Sequence, residues 1–418
     1  MSFEFLALSL ILGMAWMTTL SWALGLVLTV RGIARQQPLA PASDEETIPP
    51  SIAPLVSILV PARNEEHRVI SACLSSMANQ DYPNLEIIAV NDRSTDATGD
   101  MLRRTALKDP RIQIIDGVEP PPGWLGKPHA LAQAWRVARG EWVLATDADM
   151  IYSRSAVRTA VACAVGGNYD ALTLIPRVIC LSFWERVFMP TFGWFMIIAL
   201  PIKRVNDPQR REAIGVGGFF LMRRAALERV GGYEAVRDEV AEDLRMAELL
   251  KGAGARLRIE YAPELISTRM QTNLREIWEG FTKNLFAGAK FSLIRTVFGA
   301  ISIFFFAVVP FIVAFTSVVM LIAHVRGPWA MLLIPTLLTW TLQIATFAVV
   351  NKTWGLPLGY ALTVPLGQTL FLAILLNSAV KIATGSGVTW KGRKLYDRAG
   401  GITPPRGAAT ERSPYENT

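Results

Sequence analysis

Four long apolar stretches decide most of what this chain can fold into: Phe5 to Val30, Val297 to Ala323, Ala330 to Val350 and Leu356 to Val380. About 20 apolar residues are enough to cross a bilayer core as a helix, which satisfies its own backbone there. Hydrophobic residues make up 51% of the 418 and charged ones only 18%, below the roughly one quarter usual in soluble proteins. Part of the chain therefore belongs in lipid. The first stretch has its positive charge behind it, at Arg31 and Arg35. A secretory signal carries charge ahead of its apolar run, so residues 1–34 read as a retained anchor. The positive-inside rule then puts the N-terminus outside and the following domain in the cytoplasm, as in a multi-pass protein of the inner membrane. Residues 35–54, rich in Pro, Ala and acids, read as a linker. Residues 291–382 hold about three spans. Residues 383–418, with Lys391, Arg393, Lys394 and Arg398, read as a flexible basic tail. One anchor plus three spans would leave that tail outside, although its charge prefers the inside. Either one segment is re-entrant or the rule is overridden.

The net charge of +7 favours an anionic membrane surface or phosphate-bearing ligands. The basic residues are scattered without a nucleic-acid fold signature, which argues against DNA or RNA as a partner. Cys73, Cys163 and Cys180 form no CxxC pair, and three is an odd number for a disulfide framework. His67, His129 and His324 are too dispersed for a histidine-built zinc site.

Between residues 55 and 290 the pattern changes to short β-rich runs alternating with helical ones. Val56–Val60, Leu85–Val90, Ile112–Ile115 and Trp142–Ala145 read as strands. Glu65 to Ala78, with Asn64 as its cap, and Pro128 to Ala138 read as helices, and Asp96 caps a third. Such alternation implies an α/β domain with a mostly parallel sheet covered on both faces. Its ligands belong at the carboxyl ends of the strands. The apolar, aromatic segment 183–200, charged at Glu185 and Arg186, reads as a helix lying in the membrane interface or as a core helix of the domain.

The strand ends carry the chemistry. The first ends in Pro61-Ala62-Arg63-Asn64-Glu65, the second in Asn91-Asp92-Arg93-Ser94-Thr95-Asp96, and the fourth in Thr146-Asp147-Ala148-Asp149. Asp147 and Asp149, two residues apart past a buried strand, suit one hard cation, Mg²⁺ or Mn²⁺, whose remaining ligands are substrate phosphates and water. The competing reading is a solvated turn. Asp92 suits a base or ribose, or else a simple Asx-turn. Lys127, in Gly123-Trp124-Leu125-Gly126-Lys127-Pro128, sits at a helix start that favours phosphate. Glu242-Asp243 opens a helical run, as a cap or as a general base. Arg269, Arg275, Trp278 and Lys283 precede the C-terminal spans, as interface anchors or as a clamp on a departing diphosphate.

Taken together, Pro61 to Glu65, Asp92, Lys127, Asp147-Ala148-Asp149, Gly217-Gly218-Phe219 and Glu242-Asp243 resemble glycosyltransferase family 2, the inverting enzymes of the GT-A fold, a Rossmann-like sheet. Pro120 to Lys127, Thr268-Arg269-Met270 and Trp390-Lys391-Gly392-Arg393 resemble its multi-span branch, which includes ceramide glucosyltransferases and bacterial enzymes associated with carotenoids or hopanoids. The resemblance implies that Pro61, Asn64, Glu65 and Asp92 hold a uridine-type nucleotide. Lys127 would contact its phosphates, and Asp147 and Asp149 the metal and donor. Asp243, with Glu242, would supply the catalytic base, and Gly217, Gly218 and Phe219 would line the acceptor side. Arg275 and Trp278 would join the donor site, although Gln271 to Trp278 departs from the Q/RxxRW pattern of processive synthases in having Arg and Trp three apart. The expected activity is transfer of a sugar from a nucleotide-diphosphate sugar, a UDP-sugar above all, to a hydroxyl of a lipid (sphingolipid, carotenoid, hopanoid or similar) at the cytoplasmic membrane face. The alternatives are a processive polysaccharide synthase and a non-catalytic nucleotide-binding membrane protein.

Overall fold

The computed structural model describes residues 3–43, 48–199, 202–289, 291–390 and 393–397. Lys391, Arg398 and everything beyond Asp397 lie outside the described residues, as do 44–47 of the linker. In chain order, α1 (Phe3–Ala34) precedes β1 (Val56–Ala62), α2 (Ile70–Ala78), β2 (Leu85–Asn91), α3 (Thr98–Ala106), β3 (Ile112–Asp116), α4 (Gly126–Val137), β4 (Trp142–Ala145), β5 (Met150–Tyr152), α5 (Ala156–Gly166), β6 (Ala171–Ile175) and β7 (Arg177–Val178). Then come α6 (Phe183–Ala199), α7 (Ile202–Val205), β8 (Phe220–Arg223), α8 (Arg224–Arg229), α9 (Glu242–Gly252), β9 (Leu257–Tyr261) and β10 (Ile266–Thr268). The chain continues through α10 (Leu274–Gly288), α11 (Leu293–Ile303), α12 (Val309–Ile322), α13 (Trp329–Thr353), α14 (Val364–Ala383) and the hairpin of β11 (Ser386–Trp390) and β12 (Arg393–Asp397). Within the expected tail 383–418, residues 386–390 pair with 393–397, Val388 opposite Leu395.

Seven strands form one sheet in the order β3-β2-β1-β4-β8-β6-β9. All neighbours are parallel except β8, which runs against both β4 and β6. Alternate residues of β1 face opposite sides, so Ile58 and Val60 join one apolar core and Leu59 the other. Both faces are thus buried under helices, which is why these strands read as continuous apolar runs. Ala62 pairs with Asn91 and Leu59 with Ala145, so the segments after β1, β2 and β4 leave the sheet at one edge.

One expected boundary moves. The helix assigned to 65–78 begins only at Ile70, and Asn64 does not cap it. Residues 64–66 are instead bonded to the segment after β2: Asn64 N donates to Ser94 Oγ (3.1 Å), Glu65 N to Thr98 Oγ1 (2.7 Å) and Glu66 N to Asp96 Oδ2 (3.1 Å). Asn64 itself adopts φ 50°, incompatible with a helix start.

Among the described residues, four helical segments are long and apolar enough to cross a membrane: one N-terminal and three C-terminal. Thr19 Oγ1 donates to the Pro335 carbonyl at 2.9 Å, joining α1 to α13. Between α11 and α12 the helix widens into a single π turn over Phe304–Val308, just ahead of Pro310. Proline has no N–H, so the Phe306 carbonyl loses its helical partner. Trp22 Nε1 (2.7 Å) and Gln343 Nε2 (3.4 Å) donate to it instead. In lipid such a carbonyl has no water to turn to. The break in one helix is therefore what ties three together.

Helix α6 connects this bundle to the sheet. Its Phe188 packs on Phe281 of α10 (4.6 Å between ring centroids) and Phe371 of α14 (6.2 Å). Its Trp194 stacks on Trp22 at 4.9 Å and donates to Thr29 Oγ1. At its start, buried Glu185 accepts both Nε (2.9 Å) and Nη2 (3.0 Å) of Arg269, just after β10.

Candidate active site

The edge where β1, β2 and β4 end collects the charged side chains. Beyond β4, Thr146 Oγ1 donates to the Gly218 carbonyl (2.7 Å) and accepts from Tyr152 Oη (2.7 Å), binding the Asp147–Asp149 turn to the 216–219 turn. Lys127, in the first turn of α4, places Nζ 2.7 Å from Asp147 Oδ1 and 2.5 Å from Glu242 Oε1. Asp243, at the start of α9, accepts Gly217 N at 2.6 Å on Oδ2 and Leu244 N at 2.8 Å on Oδ1. A β-carbon at Gly217 would lie 3.0 Å from Asp243 Oδ2, 3.0 Å from Lys127 Nζ and 3.4 Å from Asp147 Oδ2. Three elements thus bring a cation and two of the carboxylates to within touching distance of one backbone point, and only glycine leaves that point open.

Burial pushes Glu242 up to about 7, with Lys127 opposing and Asp243 adding to the rise. Asp243 is raised as well, by burial first, with Lys127 and the Leu244 and Gly217 amides pulling it back. Burial pulls Lys127 down, but Asp147, Glu242 and Asp243 outweigh that and hold it well above the ordinary lysine value. The site therefore keeps a permanent cation beside two carboxyls that bind protons more readily than exposed acids do.

Asp149 faces a second group. Arg68 Nη1 lies 3.9 Å from Asp149 Oδ2 and donates to the Met270 carbonyl at 2.8 Å, while its Nη2 donates to Glu276 of α10 at 3.0 Å. Neither Arg68 nor Glu276 stood out in the sequence, because nothing in their spacing shows that a loop after β1 meets a helix some 200 residues later. Asp92 is buried beside Arg93, whose Nε (3.2 Å) and Nη2 (3.0 Å) donate to its Oδ1, and its carbonyl accepts Arg63 Nη1 at 2.8 Å. Burial raises Asp92, with Arg93 and Arg63 opposing.

Other expected site residues sit elsewhere. Arg275 is exposed on α10 and paired with Glu279 at 3.0 Å; Trp278 packs among the aromatic side chains around Phe188. Neither joins the carboxylate cluster. Phe219 is fully buried against Tyr152, and Gly218 abuts Met150, so of the three acceptor-side residues only Gly217 opens on the cluster. Pro61 lies within β1, and Asn64 Oδ1 accepts Thr95 N at 2.9 Å, holding the two loops together.

Asp147 and Asp149 offer hard oxygen donors of the kind Mg²⁺ and Mn²⁺ select. Among the described residues no group of three His, Cys, Asp or Glu side chains is gathered to hold an ion unaided. The donor set fits a cation that takes most of its shell from a bound diphosphate and water.

Residues 57–231, from β1 into the loop after α8, match the family described as Glycosyl transferase family 2. This stretch resembles a glycosyl transferase family 2 domain. The chain is 30% identical over 242 residues to the probable glycosyltransferase YdaM of Bacillus subtilis (strain 168), an overlap of 54% of this chain and 53% of that one. It is 28% identical over 238 residues to an N-acetylglucosaminyltransferase of Sinorhizobium fredii (strain NBRC 101917 / NGR234), 53% of this chain and 54% of the relative. The chain thus spans about half the length of the curated relatives it matches. Among solved structures, a mannosyltransferase of Pyrobaculum calidifontis, in complex with GDP-Man and Mn²⁺, superposes with a TM-score of 0.51 at 22% identity, over 89% of this chain and 98% of that one. The α/β domain therefore has the GT-A fold. The family match ends before α9, and Glu242 and Asp243 meet the rest of the site through Lys127 and Gly217.

Proposed function

We propose that this chain is an inverting glycosyltransferase that moves a sugar from a nucleotide-diphosphate sugar, a UDP-sugar, to a hydroxyl of a lipid at the cytoplasmic face of the inner membrane. The observation that carries it is the convergence of Asp147, Lys127 and Asp243 on Gly217, beside helices that run into an apolar bundle. Asp243 has a raised proton affinity and is oriented by two backbone amides, as suits a group that takes the proton of an attacking hydroxyl. Lys127 stays cationic and supplies fixed positive charge where a diphosphate departs. Asp92 and the cross-linked Asn64–Glu65 loop form the adjoining nucleotide end. Asp147 and Asp149 would hold Mg²⁺ or Mn²⁺, which when bound neutralises charge on the leaving group. Helix α6, half in the bundle and half under the domain, gives a lipid head group a way to the site without leaving the bilayer.

The test is UDP release and lipid glycosylation by membranes holding the full chain, read by mass spectrometry of total lipids. Asp243→Asn should reduce transfer by about 10²–10⁴-fold, the usual contribution of a general base, with UDP affinity unchanged. Near-normal turnover in that variant would exclude Asp243 as the base. Polymeric product would favour the synthase reading, and no release from any sugar donor the non-catalytic one.

A further inference from the structure

The last helix and the hairpin behind it return to the catalytic domain. Helices α1 and α13 run parallel: Thr19 bonds the Pro335 carbonyl, while ten residues on Thr29 accepts from Trp194, whose ring lies 5.6 Å from Phe347. Segment α11–α12 runs against α13, with Ala307 bonded to Gln343 and Phe311 at 5.3 Å from Trp340. If α1 enters the cytoplasm at its C-terminal end, α13 does so too, and α14 starts on the catalytic side.

Helix α14 is long enough to cross back, yet its neighbours keep it on that side. Ser378 Oγ donates to the Thr282 carbonyl (2.5 Å) and accepts Phe286 N (3.1 Å), and Asn377 Nδ2 donates to Thr282 Oγ1 (3.0 Å), so its second half lies along α10. Helix α10 is the one whose Glu276 grips Arg68 of the catalytic domain. Past α14, Val388 of β11 is 1% exposed and shares one apolar cluster with Phe286, Ala379 and Ile382, against which Val240 and Leu395 also pack. Val240 stands two residues before Glu242. A crossing helix separates its ends by about 30 Å of hydrocarbon, which this cluster does not allow.

We propose that α14 lies along the membrane face without crossing it, and that the β11–β12 hairpin is a positioning element of the active site, bracing the loop that presents Glu242 and Asp243. That loop, 237–241, is held at its other end by Leu125 N donating to the Arg237 carbonyl at 2.7 Å, two residues before Lys127. The hairpin thus fixes the free side of a segment whose far side is tied to the Lys127 turn. Three crossings also put Lys381, Arg393 and Lys394 in the cytoplasm, where the positive-inside rule wants them.

The positioning role rests on reading Asp243 as the base; the topology does not, so the two fail separately. Green fluorescent protein fused after Thr418 of the full chain should fluoresce, and alkaline phosphatase fused there should be inactive. An active phosphatase fusion would overturn the proposal whatever the enzyme's activity. For the brace, Val388→Asp should lower kcat for transfer by about tenfold with the Kd for UDP unchanged, and Val388→Ile should restore it. Unchanged kcat in Val388→Asp, or loss of UDP binding together with it, would overturn the positioning role.

Discussion

The raised carboxyls around Lys127 make the site's charge depend on pH in the physiological range. Glu242, pushed up to about 7 chiefly by burial, is protonated below that value and leaves Lys127 matched mainly by Asp147. Above it, a second full negative charge lies 2.5 Å from the ammonium, close to Asp243 and the buried Tyr233. An anionic diphosphate competes with that carboxylate for Lys127, so UDP measured in chelator should bind more weakly as pH rises from 6 to 8. Glu242→Gln should flatten the dependence, and titration calorimetry at the two ends of the range reads it directly. A persistent pH dependence in that variant would assign the effect to another group. At Gly217 the demand is steric: the nearest atoms to an added methyl are the functional ends of Asp243 and Lys127, at 3.0 Å. Gly217→Ala should leave the melting temperature nearly unchanged and cut transfer by about tenfold or more, because displacements well under 1 Å at reacting groups are felt in rate.

At the level of elements, the join between sheet and bundle runs through the Glu185–Arg269 pair. The Glu185 side chain is 1% exposed and that of Arg269 32%, so removing the arginine leaves a buried charge without its partner. Arg269→Met should cost about 3–5 kcal/mol of stability, and adding Glu185→Gln should recover much of it, as breaking one side of a buried pair is worse than replacing both. Thermal unfolding of the two variants in detergent measures the difference. Glu185 also accepts the Leu181 and Ser182 amides, so it orders the turn into α6 as well as the pair. The strands of the α/β domain were legible because each is a short apolar run followed by polar turn residues; the strand-end rule pointed to Asp92 and Asp147, and the helix start at Gly126 pointed to Lys127. Two things were not. The late start of α2 depends on backbone amides bonded across to Ser94, Asp96 and Thr98, partners some 30 residues away. That Glu276 of α10 reaches Arg68 while Arg275 pairs with Glu279 depends on how α10 is rotated against the sheet, which a helical period on its own does not fix.

For the whole molecule, the apolar stretches are long enough to cross a membrane but do not say whether the first is a tether or a working part of the bundle. The two roles differ physically. Lipid tails are as apolar as leucine, so a tether facing lipid all round gains nothing specific from its side chains. Helix α1 is exposed at Trp16 (45%) but buried at Trp22 (5%). Trp22 fills the gap between Trp194 of α6 and the Phe306 carbonyl that Pro310 leaves without a helical donor. From there ring contacts run through Phe195, Phe371, Phe188 and Phe281 to α10, whose Glu276 bonds Arg68 beside Asp149. Trp22→Ala removes the stack and one donor from a carbonyl that has no water to turn to, and should cost about 2 kcal/mol; truncating an aromatic core residue costs about 3–5 in water, and the transfer part of that is absent in lipid. Trp16→Ala, at an exposed position of α1, should cost almost nothing. Thermal unfolding of both variants in the same detergent separates the roles, since a plain tether predicts equal and negligible shifts for the two tryptophans.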